Sequence, residues 1–222
     1  MFPPVFRRYH PIFALFFRAL VRSVAPRVRV SGRRNIPHRG PVIFAPNHLS
    51  DVDPPFIGAA IRRPVAWMAK RELWEIGWLG PILDFVGSFP VDPASPDRAA
   101  LRQGLDVLKR GDALVVFPEG KIAPDAQLGP LLPGALLIAF KSGAPVVPLG
   151  MWGVENVMPY GETRPRVTFS PVHLHFGAPL KFDDLKDENP RRAREIAAER
   201  LETALREAIE VARCASMKRS SG

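Results

Sequence analysis

Two short segments carry residue types that could move a proton and aim a nucleophile. The first, Asn47-His48-Leu49-Ser50-Asp51-Val52-Asp53, sets an imidazole and two carboxylates within a few residues. The second, Phe117-Pro118-Glu119-Gly120, offers a carboxylate in a turn shaped by proline and glycine. Histidine titrates nearest neutrality, so His48 suits general-base work on a hydroxyl group. A carboxylate on the far ring nitrogen would fix the tautomer and stabilise the imidazolium that forms. Asp51 and Asp53 both lie close enough for that role, and Asp53 before Pro54-Pro55 equally suits a helix N-cap. A histidine after an apolar run is often structural; the second segment is what turns the first toward chemistry.

Such groups need a rigid frame. His48 follows the apolar run Pro41–Ala45 and Glu119 follows Ala113–Phe117, which read as buried strands ending in loops. Catalytic groups in open α/β sheets gather at such carboxyl ends. Further strand-like runs at Val65–Ala69, Ser88–Val91 and Val146–Leu149 alternate with helical ones, so the expected fold is α/β, a single domain with a mixed central sheet flanked by helices. Ser95-Pro96-Asp97 should open a helix with Leu101, Leu105 and Leu108 facing inward and Gly111 at its end. A second helix should run from Pro133 to Ser142, stopped by Gly143, and a last one from about Arg191 to Arg213. Val167–Phe169 and Val172–Phe176 read as strands. His173 and His175 share a face of the latter, but without a nearby third ligand no metal is expected there.

Together the two segments resemble the glycerolipid acyltransferase family, which includes the PlsC-like 1-acylglycerol-3-phosphate acyltransferases. The family signature is a histidine, four residues and an aspartate, then Phe-Pro-Glu-Gly about seventy residues on, and His48, Asp53 and Phe117 to Gly120 match it. The likeness extends through Lys70-Arg71-Glu72-Leu73, Gly87-Ser88-Phe89-Pro90-Val91 and Ala144-Pro145-Val146-Val147-Pro148, and covers about residues 30 to 180. It implies an O-acyltransferase of phospholipid biosynthesis that moves a fatty acyl group to the free hydroxyl of a lysophospholipid. The favoured acceptor is 1-acyl-sn-glycerol-3-phosphate, giving phosphatidic acid. Acyl-CoA or acyl carrier protein is the implied donor and co-substrate, with no cofactor.

The resemblance also selects Asp53 over Asp51 and assigns Pro118, Glu119 and Gly120 to acceptor binding. A carboxylate cannot neutralise a phosphate, so Glu119 is expected to accept a glycerol hydroxyl or position a cation, with a salt bridge as its structural alternative. The acceptor's own hydroxyl stands in for an enzyme serine, so no acyl-enzyme is required, and Cys214 is poorly placed to form one. The chain departs from the family in having Lys121-Ile122 where most relatives have threonine or serine and then arginine, and Asp92-Pro93 where the middle block usually ends in arginine. Lys121, Lys70 and Arg98 are therefore the candidates for phosphate binding. Trp67, Trp74 and Trp78 are candidates for an acyl-chain groove. The missing arginines keep open another lipid alcohol as acceptor, a lyso-aminolipid or glycolipid. A noncatalytic peripheral membrane protein that binds lysolipids is the rival from another class.

Composition places this chemistry. The formal net charge of +9 resides in residues 1 to 50, which hold nine arginines and no acid, while the rest of the 222-residue chain carries 22 basic and 22 acidic side chains. The arm is as apolar as it is basic, with Ile12, Phe13, Leu15, Phe16, Phe17, Leu20, Val21 and Val24 around Arg18 and Arg22. That pattern predicts an amphipathic helix at the interface of an anionic membrane rather than a nucleic-acid site. The stretch is shorter than the roughly 20 residues that span a bilayer, and the two arginines also disfavour a secretory signal. The expected organisation is a membrane-docking arm over 1–29, an acyltransferase domain over 30–213 and a disordered tail over 214–222. The expected place is the cytoplasmic face of a membrane, as a peripheral or monotopic protein, and the lone Cys214 is compatible with a reducing compartment.

Overall fold

The structure is a computed structural model that describes residues 4–92 and 97–217. Seven strands form one sheet: β1 (Val28–Ser31), β2 (Val42–Pro46), β3 (Val65–Lys70), β4 (Phe89–Val91), β5 (Ala113–Val115), β6 (Val146–Trp152) and β7 (Val172–Phe176), in the order β1-β7-β6-β2-β5-β3-β4. β6, β2, β5, β3 and β4 are parallel; β7 runs antiparallel to β6, and β1 pairs parallel with β7. The sheet is thus mixed, as expected. All five residues of β2 are buried, since parallel strands covered on both faces read as continuous apolar runs.

The described residues form six α-helices: α1 (Pro4–Val24), α2 (Asp53–Ala60), α3 (Leu79–Phe85), α4 (Arg98–Lys109), α5 (Gly134–Ser142) and α6 (Pro190–Met217). On one face of the sheet α2 and the end of α1 bury Phe56, Ile57, Val21 and Ala25 against Phe44, Val115 and Leu149. On the other, α4, α5 and α6 bury Val107, Ile138 and Leu201 against Ile43, Leu114 and Val146. α6 lies so close to β6 that a Cβ on Gly150 would meet the carbonyl carbon of Ala208 at 2.1 Å.

Several expectations are corrected. The cap of α4 is Asp97, whose Oδ1 accepts the N–H groups of Ala99 and Ala100, both at 2.8 Å; Ser95 and Pro96 lie outside the described residues. Val167–Phe169 is not a strand, and only Thr168 finds a backbone partner, donating its N–H to the Val24 carbonyl at 2.8 Å. β1, which begins inside the expected arm, went unpredicted. The last helix continues to Met217, four residues past the expected end, with Ser216 buried, so a tail beginning at 214 is not what forms; 218–222 lie outside the described residues. α1 packs on α2 rather than standing apart, yet it turns Ile12, Leu15, Phe16 and Leu20 to solvent, Leu15 being 65% exposed. No helix among the described residues is long and apolar enough to cross a membrane.

Candidate active site

β2 and β5 are adjacent parallel strands, yet the helices that follow them, α2 and α5, go to opposite faces of the sheet. The loops leaving their carboxyl ends therefore diverge and open a crevice, the usual ligand position in open α/β folds. His48 is on the β2 loop and Glu119 on the β5 loop. The strand register pairs Phe44 with Val115, a separation of 71 residues, and the same separation links His48 to Glu119. The sheet itself brings the two segments level.

His48 is held from four sides. Its Nδ1 lies 2.7 Å from Asp53 Oδ2, and its ring stacks on Phe117 with centroids 3.9 Å apart. Its backbone N–H donates to Glu119 Oε1 at 2.9 Å, and its carbonyl accepts the N–H of Ala123 at 3.0 Å. The side chain remains 17% exposed, and no described residue bonds Nε2. Asp53 Oδ2 also accepts the N–H groups of Leu49 at 2.7 Å and Ser50 at 3.0 Å. An oxygen already accepting two amide protons takes a third from histidine, so the ring proton sits on Nδ1 and Nε2 keeps a lone pair. An N-cap side chain accepts from amides two or three residues ahead, whereas Asp53, the first residue of α2, reaches back to residues 49 and 50; the capping explanation fails. Asp53 is fully buried, and burial raises its carboxyl above the usual range against the downward pull of His48 and the two amides.

Glu119 is 5% exposed, and burial raises its carboxyl too. Its Oε2 accepts the Gly129 N–H at 2.9 Å, so both oxygens hold main chain, one of them the main chain of His48. Glu119 forms no salt bridge with any described residue. Pro118 is buried and its carbonyl accepts the Leu132 N–H at 2.7 Å. Gly120 turns with φ +67°, where an added Cβ would come within 2.4 Å of the Leu132 side chain. Lys121 is exposed in the turn between Gly120 and Ala123, beside the His48 carbonyl contact. Lys70 ends β3, exposed, two strands from β2, or about 10 Å at the usual spacing. Arg98, exposed, opens α4, the helix that follows β4 and packs on the sheet. All three cations stand on the carboxyl edge, with Lys121 nearest.

The tryptophans are dispersed: Trp67 packs half-buried toward α2, Trp74 donates Nε1–H to Asp84 at 2.9 Å, and Trp78 is exposed. Three supports have partners that the sequence did not show. Phe117 faces the imidazole; Asn47 clamps β6 by donating to the Met151 carbonyl at 3.1 Å and accepting its N–H at 2.7 Å; Ser50 donates to the Met158 carbonyl at 2.6 Å. Only adjacency in the motifs could have flagged them.

Residues 27–152 match the Acyltransferase family. The chain belongs to that family. Among acyltransferase relatives, the chloroplastic 1-acyl-sn-glycerol-3-phosphate acyltransferase of Arabidopsis thaliana is 26% identical over 166 residues, 72% of this chain and 46% of the relative. The 1-acyl-sn-glycerol-3-phosphate acyltransferase of Bacillus subtilis is 31% identical over 138 residues, 62% of this chain and 68% of its own. This acyltransferase chain thus spans about half the length of the chloroplast relatives it matches. Its fold matches the crystal structure of the 1-acyl-sn-glycerophosphate acyltransferase PlsC from Thermotoga maritima with a TM-score of 0.72 and 28% identity, over 92% of this chain and 80% of that one.

Proposed function

We propose that the protein is an O-acyltransferase that moves a fatty acyl group from acyl-CoA or acyl carrier protein to the free hydroxyl of 1-acyl-sn-glycerol-3-phosphate, giving phosphatidic acid. The observation that carries the chemistry is the 2.7 Å bond between His48 Nδ1 and Asp53 Oδ2, with Nε2 unclaimed. Nε2 takes the acceptor's hydroxyl proton as the oxygen attacks the thioester carbonyl. Asp53 steadies the imidazolium, which then returns the proton to the departing thiol as the C–S bond breaks. A new C–O ester bond results, and no covalent enzyme intermediate is needed. The acceptor is inferred from the names of the relatives, and Lys121, Lys70 and Arg98 are the cations offered to its phosphate.

The apolar outer face of α1, flanked by Arg22, supports docking at the anionic, cytoplasmic face of a membrane, with the cleft at the interface. Ile122 and Asp92-Pro93, where the family has arginines, favour, as a second reading, a different lipid alcohol as acceptor.

The test is transfer from labelled oleoyl and palmitoyl thioesters of CoA and acyl carrier protein to a panel of lysolipids, native against His48→Ala. The expected result is phosphatidic acid from native protein and a loss of about 10²- to 10⁴-fold in the variant. His48-dependent product from another lysolipid only would overturn the acceptor. No product from any pair in reconstituted membranes would leave a lysolipid-binding protein.

A further inference from the structure

At the end of the sheet away from β4, α1, β1, β7 and α6 surround an open cavity of about 620 Å³. Three arginines line it from three pieces of backbone: Arg22 in the last turn of α1, Arg27 in the turn that follows, and Arg29 on β1. None of the three pairs with an acid among the described residues, and no acidic side chain lines the cavity. His173 lines it as well. That residue is 7% exposed, uses Nε2 on Ser31 Oγ at 2.8 Å, and keeps Nδ1 buried without a hydrogen-bond partner. Ala215 and Ser216 at the end of α6 complete the wall.

Like charges converging on a concave space repel unless an anion joins them, and their fields focus there. Guanidinium forks match the oxygens of a phosphate in pairs. The cavity is too large for a bare ion to fill and has room for a phosphate with its ester substituent. It is separate from the His48 site: β7 and β1 lie two and three strands from β2, about 10 to 14 Å at the usual spacing, though the pairing of Trp152 with His173 sets it toward the same edge of the sheet.

Its surroundings are apolar. Arg22 sits two residues after Leu20 on the helix that turns Ile12, Leu15 and Phe16 outward. The bond from Thr168 to Val24 brings exposed Val167 and Phe169 beside the end of that helix. A charged hollow rimmed by greasy side chains has the layout of a lipid headgroup above its chains. We propose that this cavity is a subsite for a phosphate ester anion, supplied by the headgroup of an anionic phospholipid whose chains lie along α1. The proposal rests on the docking of α1 at a membrane but not on acyl transfer.

The test is binding of the full chain to vesicles of phosphatidylcholine alone and of an equal mixture with phosphatidylglycerol. Each arginine near an anionic surface contributes about fivefold in partition, so Arg27→Gln with Arg29→Gln should weaken binding to the mixed vesicles about 30-fold. Arg34→Gln with Arg39→Gln removes the same charge at the opposite edge, where β1 ends and β2 begins, and should keep most of the binding. Ala215→Trp, which puts an indole into the cavity without changing charge, should weaken it. A thermal shift with glycerol 1-phosphate in the absence of vesicles, lost in the Arg27/Arg29 variant, would uphold the phosphate site and make its source a soluble ester. The proposal is overturned if both arginine pairs weaken binding alike, if Ala215→Trp binds as the native chain does, or if the native chain responds to neither vesicles nor phosphate ester. Product formation enters none of these readouts, so failure of the acyl-transfer reading is seen separately.

Discussion

Glu119→Gln separates a brace from a substrate contact. The native carboxylate accepts two amide protons, from His48 and Gly129, one on each oxygen at 2.9 Å. Glutamine has the same shape but one oxygen, so whichever way it flips, one buried N–H faces an NH₂ group. Losing a hydrogen bond to a charged group costs about 1.5–3 kcal/mol. The burial that raises the Glu119 carboxyl no longer opposes a charge in the amide, which offsets part of that, leaving about 1–2 kcal/mol. The loss falls on the loop that fixes the imidazole, so we predict kcat lower by about 5- to 30-fold with an acceptor KM close to native. Steady-state kinetics over both substrates, with far-UV circular dichroism as the check on folding, would measure it. A native kcat with a raised acceptor KM would refute the brace and restore the expectation that Glu119 holds a glycerol hydroxyl.

Burial raises Asp53, so its ionisation weighs on the native state: the favourable contribution is complete below the ordinary carboxylate pKa, near about 4, and disappears as pH climbs through the raised value. Asp53→Asn should therefore gain stability relative to native protein between pH 4 and neutrality while losing activity by about 10³- to 10⁴-fold; denaturant unfolding at both pH values checks it, and a relative stability independent of pH would refute the sign. Gly150→Ala would drive a methyl to 2.1 and 2.2 Å from the Ala208 carbonyl group, rigid helix backbone, and should cost about 3 kcal/mol or more, seen in calorimetry as a fall of about 6–12 °C; an unchanged midpoint would show that α6 can lift off β6. Phe117→Leu removes the ring under His48 and should lower kcat/KM about threefold, with the cost growing where imidazolium forms; equal activity at all pH values would make the stack incidental.

The central strands were legible because Val42–Ala45 and Ala113–Val115 are buried on both faces and read as unbroken apolar runs. β1 was not, because a four-residue edge strand holding Arg29 owes its form to β7, far along the chain. Val167-Thr168-Phe169 has β-prone composition without a strand to pair with, and propensity alone does not make a ladder. The pairing of His48 with Asp53 followed from the motif. The reach of Glu119 did not, since its partners are backbone amides, which no side-chain pattern encodes. The cap of α4 is Asp97 and not Ser95, a choice the sequence leaves open because either residue type accepts amide protons.

β5 follows β2 and β3 in the chain yet lies between them in the sheet. Until residues 113–115 insert, β2 and β3 have no bond to each other, and each presents an open ladder. The closing event is a non-local one whose loop-closure entropy precedes the contacts that offset it, so we predict that it comes late in folding. The strand that zips the sheet is also the one that delivers Glu119 to the His48 backbone. A chain stalled with its sheet unzipped would therefore hold His48 and Asp53 without the carboxylate that steadies the His48 backbone.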